Sequence, residues 1–295
     1  MIAAAPLPYP FEFAFMQRAL VAGVAVGVFA PMIGTFLVQK RMSLMGDGIG
    51  HIAWAGVGAG LVASVWPIWT ALAFAVAGSL GIEWLRSRRK ASGDLALALF
   101  FYSGIAAGVV LVSLAGGMNT KALTYLFGQP LTVADHEVVA IVAMGAAIVV
   151  AMLVLRRLLF AVVTDEDWSR VAGLPVGLAN SVLAVIVAVA VVAAMQIVGI
   201  LLIAAMMVLP VASAQLVARS FQGTMRWAVA IGVASVIAGL ALSRVWNLAP
   251  GGTIVLLTAA VFVVVAVATR RVPHGVPLSA PSGQVEPVRE EVAEP

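Results

Sequence analysis

Apolar stretches long enough to cross a bilayer follow one another along nearly the whole chain. They run roughly over 15–38, 44–65, 67–85, 94–115, 136–155, 173–193, 195–217, 227–246 and 252–269. A hydrocarbon core about 30 Å thick takes about 20 apolar residues to cross as a helix. Backbone placed in lipid must also pair its own N–H and C=O groups. Aliphatic residues dominate the stretches and no alternation of period two is sustained, so they predict helices rather than barrel strands. Composition agrees: 63% of residues are hydrophobic, 10% are charged, and the mean hydropathy is +1.10, whereas a soluble domain carries about 25% charged residues. The expected fold class is all-α, a polytopic helical bundle of about nine spans in a lipid bilayer.

Most basic residues lie between the apolar stretches. If the stretches alternate in direction, Lys40, Arg41, Arg86, Arg88, Arg89, Lys90, Arg156, Arg157, Arg170, Arg219, Arg226, Arg270 and Arg271 share one side, and Arg18, Lys121 and Arg244 take the other. The positive-inside rule then puts the N-terminus outside and the C-terminus in the cytoplasm. The net charge of +4 and the pI of about 10.0 are explained by topology, and no nucleic-acid partner is expected. Cysteine is absent, which excludes disulfides, thiol catalysis and thiolate metal sites. No basic region precedes the first apolar run in "MIAAAPLPYPFEF", so no cleaved signal peptide is expected. The chain therefore divides into an N-terminal segment 1–14, a transmembrane domain 15–271 and a tail 272–295. The tail is rich in proline and acid, which predicts disorder on the cytoplasmic side. The stretches 173–193 and 195–217 run together through "VVAAMQIVGILLIAAMMVLP", and one of them is a candidate for a broken or re-entrant span.

Several functions are excluded by missing motifs. There is no G-x-x-x-x-G-K-[ST], so ATP is not bound through a P-loop of this chain. H-E-x-x-H and the G-x-S-x-G elbow are absent too, and no enzymatic activity is expected. The glycines of "GDGIGHIAWAGVGAG" follow no strand and are no dinucleotide fingerprint. Gly46/Gly50 and Gly56/Gly60 have the G-x-x-x-G spacing that lets membrane helices approach closely.

Ionisable residues within the stretches are scarce, and each costs at least about 2.5–3.5 kcal/mol at the bilayer centre. Asp47 and His51 are two of them, spaced i, i+4, so they share one helix face. A carboxylate and an imidazole side by side form half a coordination sphere for zinc, manganese or iron. Two ligands hold a metal weakly, which suits an ion that must leave as well as enter. The blander alternative makes Asp47 a first-turn acid and His51 a satisfied polar residue near the interface. A third reading is a proton relay, as in a secondary cation/proton exchanger. Gln196 in "AAMQIVGI" either joins helices by a hydrogen bond or lines a path, and helix joining is the commoner role. Asp135, His136 and Glu137 open a stretch on the outer side and are candidates for a cation-attracting mouth. Helix N-terminal acids account for two of the three without function. A local ion pair of Glu83 with Arg86 or Arg88 is expected.

The segment "VVTDEDWSRVAGLPVGLAN", 162–180, carries Asp165, Glu166, Asp167 and Arg170 on the side expected to be cytoplasmic. Acids precede "DWSRVA", and Gly173 and Pro175 follow it, which is helix start and stop chemistry. Such a short helix either lies on the membrane or docks into a partner.

"QKRMSLMGDGIGHIAWAGV" (39–57) resembles the signature of permease subunits of zinc/manganese/iron ATP-binding-cassette importers. "GDLALALFFYSGIAAGVVLVSL" (93–114), "LTYLFGQPL" (123–131), "TDEDWSRVAGLPV" (164–176), "MQIVGILLIAAMMVLPVASAQLVARSF" (195–221) and "APGGTIVLLTAAVF" (249–262) are similar to later blocks of that family, in family order. The family often has alanine or serine before the histidine and alanine after it; here these are Gly50 and Ile52. The resemblance implies a homodimeric permease of the bacterial plasma membrane, seated on two copies of a separate ATPase subunit and fed by an external metal-binding receptor. It implies that Asp47 and His51 of each protomer meet the transported metal, with zinc expected first and manganese second, and that ATP is bound by the partner. No resident cofactor is expected. It also implies that 164–175 is a cytoplasmic coupling segment, with Asp165, Glu166, Trp168, Val171, Gly173 and Leu174 contacting the ATPase.

Overall fold

The structure is a computed structural model and describes residues 8–88, 93–117, 120–129 and 133–270. The tail expected to be disordered, with His274, and the first half of the N-terminal segment lie outside the described residues. The described residues form helices α1 (Ala14–Gln39), α2 (Met45–Val62), α3 (Pro67–Ser87), α4 (Gly93–Leu114), α5 (Thr120–Phe127), α6 (Asp135–Thr164), α7 (Glu166–Val171), α8 (Val176–Ala194), α9 (Ile200–Gln215), α10 (Phe221–Trp246) and α11 (Pro250–Arg270). Each of the nine apolar stretches corresponds to a helix, with ends shifted by a few residues except at α6 and α10. α6 runs on to Thr164 and α10 starts at Phe221, because helix continues past the apolar stretch into flanking basic and polar residues.

Seven helices among the described residues are long and apolar enough to cross a membrane: α1, α3, α4, α6, α8, α10 and α11. α2 and α9 fall short for different reasons. α2 carries Asp47, His51 and six glycines in 18 residues, and α9 has only 16 residues. Both are central in the bundle. α2 packs most extensively against α4 and α3 and also meets α8 and α9, while α9 lies against α1, α10, α11 and α2. α4, α6 and α11 are peripheral, with 28%, 28% and 22% of their most apolar windows buried.

Small residues set these approaches. A methyl group on Gly46 would meet Ala204 and Met207 of α9, and one on Gly50 would meet Ile200. Gly56 faces Ala71 of α3, and Gly60 faces Pro67. The two G-x-x-x-G pairs therefore do what their spacing predicts, each toward a different neighbour. α4 returns the contact through Gly104, against the backbone of His51 and Ile52, and Gly108, against Trp54. α1 and α10 cross at Gly27 and Gly232. The core runs through Phe29, Ile33, Phe36 and Leu37 of α1, Ile49 of α2 and Val187 and Val191 of α8, all 1% exposed or less.

The run 195–217 is interrupted, as the continuity of its apolar sequence left open. Residues 195–199 form a turn between α8 and α9, and Gly199 has φ +90°. Its Cα faces the backbone of Phe127 and Gly128 so closely that a side chain would overlap it. Gln129 N–H donates to the Gln196 carbonyl at 2.9 Å, which ties the break to the end of α5. α5 itself is too short to register in the hydropathy pattern.

Candidate functional site

α1 closes with Arg41 in the left-handed region (φ +59°), where the Met42 N–H reaches the Leu37 carbonyl at 2.9 Å. This 6→1 closure turns the chain sharply, and α2 starts four residues later. Asp47 is in the first turn of α2 and His51 one turn further on; both are half-buried. The His51 ring meets Phe101 of α4 edge-on, with centroids 4.6 Å apart. Gly104 lets α4 lie directly against the His51 backbone. The two side chains offer one oxygen group and one nitrogen on one face, a donor set acceptable to manganese and to zinc. Among the described residues, no three His, Asp or Glu side chains gather closely enough to hold a metal ion. A single chain therefore presents this pair as an incomplete coordination sphere.

The trio at the start of α6 is at the opposite end and does not converge. Asp135 pairs with Arg18 at 3.3 Å. His136 is exposed and lies beside Trp66, with ring centroids 5.7 Å apart. Glu137 reaches back to the Ala134 N–H at 2.9 Å, half of a capping box. Its other oxygen accepts from Gln196 Nε2 at 2.8 Å. Gln196, 7% exposed, thus joins the α8–α9 break to α6, the helix-joining role weighed from sequence. Glu137, Gln196, Tyr125, Gln129 and Trp66 line a half-open cleft of about 490 Å³.

α7 has the start and stop predicted for it. Asp165 accepts the Trp168 N–H at 2.8 Å as N-cap. Gly173 takes φ +77°, and the Leu174 N–H reaches the Ser169 carbonyl at 3.0 Å, closing the helix in a Schellman motif. Trp168 and Val171 are 62% and 89% exposed. Leu174, expected to contact the same partner, is half-buried because the Schellman turn folds it back.

Glu166 behaves differently from the contact expected of it, because its carboxylate turns into the bundle. Lys40 Nζ lies 3.6 Å from one of its oxygens and Arg86 Nη1 3.5 Å from the same oxygen. Arg86 also holds Glu83 at 3.0 Å, the expected local pair. Lys40 donates to Asn180 of α8 as well. Burial holds the Lys40 ammonium down at about 8, with Arg86 pushing the same way and Glu166 and Glu83 pulling against both. Sequence reasoning missed this cluster. Its only signal was that Lys40 and Arg86 both stand at the ends of apolar stretches.

The manganese import system permease protein ScaB of Streptococcus parasanguinis is 31% identical over 253 residues, 86% of this chain and 90% of that protein. The manganese transport system membrane protein MntC of Listeria monocytogenes is 31% identical over 252 residues, 85% of this chain and 89% of that protein. Among solved structures, PsaBC from Streptococcus pneumoniae in complex with Fab superposes with a TM-score of 0.78 at 30% identity, covering 86% of this chain and 91% of that one. The ABC 3 transport family matches residues 12–269, from the start of α1 to the end of α11. With the helical bundle and the relatives in agreement, the chain belongs to the ABC 3 transport family, as a membrane permease subunit of a metal importer.

Proposed function

We propose that this chain moves a divalent transition metal into the cytoplasm of a bacterium by alternating access, with hydrolysis on a separate ATPase subunit and delivery by an external metal-binding receptor. The observation that carries the proposal is Asp47 and His51, one helical turn apart on α2 within a metal-importer family. Manganese is the first cargo and zinc the second. This reverses the order expected from sequence, because the named relatives are manganese permeases and the N/O donor set accepts either metal. One chain supplies an incomplete set of ligands; a second copy of the chain doubles it to two carboxylates and two imidazoles, which is the reason to read the permease as a homodimer. α2 and α9 count as crossings in this reading, for nine in all. Helix α7 is the docking element, through Trp168 and Val171. Family membership does not favour the exchanger alternative.

The test is uptake of radioactive manganese and zinc by cells expressing the complete transporter. Asp47→Ala and His51→Ala each lower uptake at least about tenfold, the low end of what losing even an outer-shell partner of a metal ligand costs, while membrane insertion is unchanged. His136→Ala has a small effect. Wild-type uptake by both α2 variants sinks the assignment, and a His136→Ala loss as deep as theirs moves the site to the other end.

A further inference from the structure

Glu166, the first residue of α7, is the hub of an ion cluster joining four elements. One carboxylate oxygen lies 3.6 Å from Lys40 Nζ and 3.5 Å from Arg86 Nη1. The other accepts from Arg170 Nη2 at 3.3 Å and from Asn180 Nδ2 at 3.4 Å. Lys40 lies just past the end of α1, Arg86 in the last turn of α3, Asn180 in the second turn of α8 and Arg170 on α7 itself. The Glu83 and Lys40 side chains are only 6% and 8% exposed. Charges this deep carry a desolvation penalty that hydrophobic packing would avoid, so the cluster is weak evidence for stability and better evidence for fixing one arrangement.

α7 needs such fixing. Six residues are far fewer than a helix requires to persist alone in water, and Ser169 is the one side chain of α7 that is buried. Its exposed Trp168 and Val171 give it no grip on the bundle. The Asp165 cap and the Gly173 turn shape α7 internally; Glu166 connects it to the ends of α1 and α3. Both ends lead to the metal pair. Lys40 opens the five-residue connection into α2, and Gly78 of α3 packs directly on Ile52, the residue after His51.

We propose that Glu166 is a positioning residue that converts displacement of α7 into displacement of the α1 and α3 ends, and through them of the α2 segment carrying Asp47 and His51. This rests on α7 being the docking element for the ATPase. Lys40 and Arg86 share one oxygen of Glu166, so a small shift of α7 favours one partner over the other. The partner exchange is the transmitted motion.

The experiment uses the complete transporter in proteoliposomes and reads the manganese moved per ATP hydrolysed, a ratio that does not depend on the amount inserted. Glu166→Gln keeps shape and the contact with Asn180 but removes the charge. The ratio falls about tenfold, within the range of typical coupling energies, while the ATPase subunit still co-purifies. Lys40→Met lowers it in the same direction, and this second variant decides the matter if the first does not insert. Glu166→Asp, which keeps the charge that Lys40 and Arg86 share, retains most of the ratio, which a merely structural role for the side chain does not predict. A wild-type ratio in Glu166→Gln overturns the proposal, as does a Glu166→Asp variant no better than Glu166→Gln. Retention of the ATPase by a Trp168→Asp/Val171→Asp variant overturns instead the docking reading on which this rests.

Discussion

A glycine that faces another helix's backbone leaves no room for a methyl group, because backbone cannot change rotamer to give way. A Cβ on Gly104 would lie 2.9 Å from the His51 carbonyl carbon and from the Ile52 nitrogen. Gly104→Ala therefore forces α2 and α4 apart and costs about 1–3 kcal/mol, the range for overpacking. It also lowers uptake by displacing His51. Gly252→Ala is the contrast: nothing lies within 4 Å of its Cβ, and helical alanine there is favourable by up to about 1 kcal/mol. Thermal unfolding of the two variants in detergent should move in opposite directions; equal shifts would mean that the α2–α4 contact is looser than described. At this scale the sequence was partly legible. Asp47 and His51 stood out because carboxylates and imidazoles are rare in apolar helices and their spacing is local. Glu166 did not, since its partners Lys40 and Arg86 are far away in sequence, and a "DED" run reads as a solvated face.

The helices themselves were legible because lipid demands long apolar runs, and each run became one helix. α5 escaped because eight residues between two longer runs carry no such signature; its place is fixed by backbone contact with the 195–199 break. α7 was readable from its stop and start residues, and its exposed apolar pair supports a sharper prediction than the spacing alone. Replacing Trp168 and Val171 together with aspartate releases the ATPase subunit in a pull-down, while Leu174→Asp disturbs the fold of the turn as well, being half-buried. Release by Leu174→Asp alone, with the exposed pair tolerated, would place the contact on the other face. The Lys40 cluster adds a pH dependence. Lys40 has its folded-state pKa lowered to about 8 from 10.5. The unfolded chain thus binds more protons across that window, and stability from this group rises as pH rises through about 8 to 10.5. The ion pair runs the other way, since a discharged Lys40 no longer neutralises Glu166. The charged groups facing Lys40 are Glu166 on α7 and Arg86 and Glu83 on α3; α8 presents uncharged Asn180. Raising the pH from about 7 to about 9 should therefore lower the manganese moved per ATP, although the fold is not weakened through Lys40. Lys40→Arg, which stays charged throughout, should flatten the profile, and an unchanged profile in that variant would assign the pH effect to another group.

For the whole molecule, the question left by hydropathy is which end of the bundle faces the cytoplasm. The two ends are chemically distinct. Lys40, Arg86, Arg88 and Arg170 gather at the end that carries α7, whereas Arg18, Asp135, Trp66 and Arg244 occupy the other, with Arg18 held to Asp135 and Arg244 over the Phe13 ring. The basic excess favours the α7 end as cytoplasmic, which is also the side where an ATPase can reach Trp168 and Val171. Aromatic side chains do not decide between the ends, because exposed tryptophans stand at both: Trp66, Trp69 and Trp246 at one, Trp84, Trp168 and Trp227 at the other. The chain has no cysteine, so a single introduced thiol reports its own side without background. Ala63, just past α2, and Ala172, just past α7, are both exposed and lie at opposite ends. In intact cells, a maleimide that cannot cross the membrane should label Ala63→Cys and spare Ala172→Cys, and disruption of the membrane should make both react. The reverse pattern would turn the molecule over, put α7 outside and remove any route by which it could meet an ATPase. Labelling of both in intact cells would mean that the connections at 63 and 172 share one face, which an alternating path through α2 to α6 does not allow.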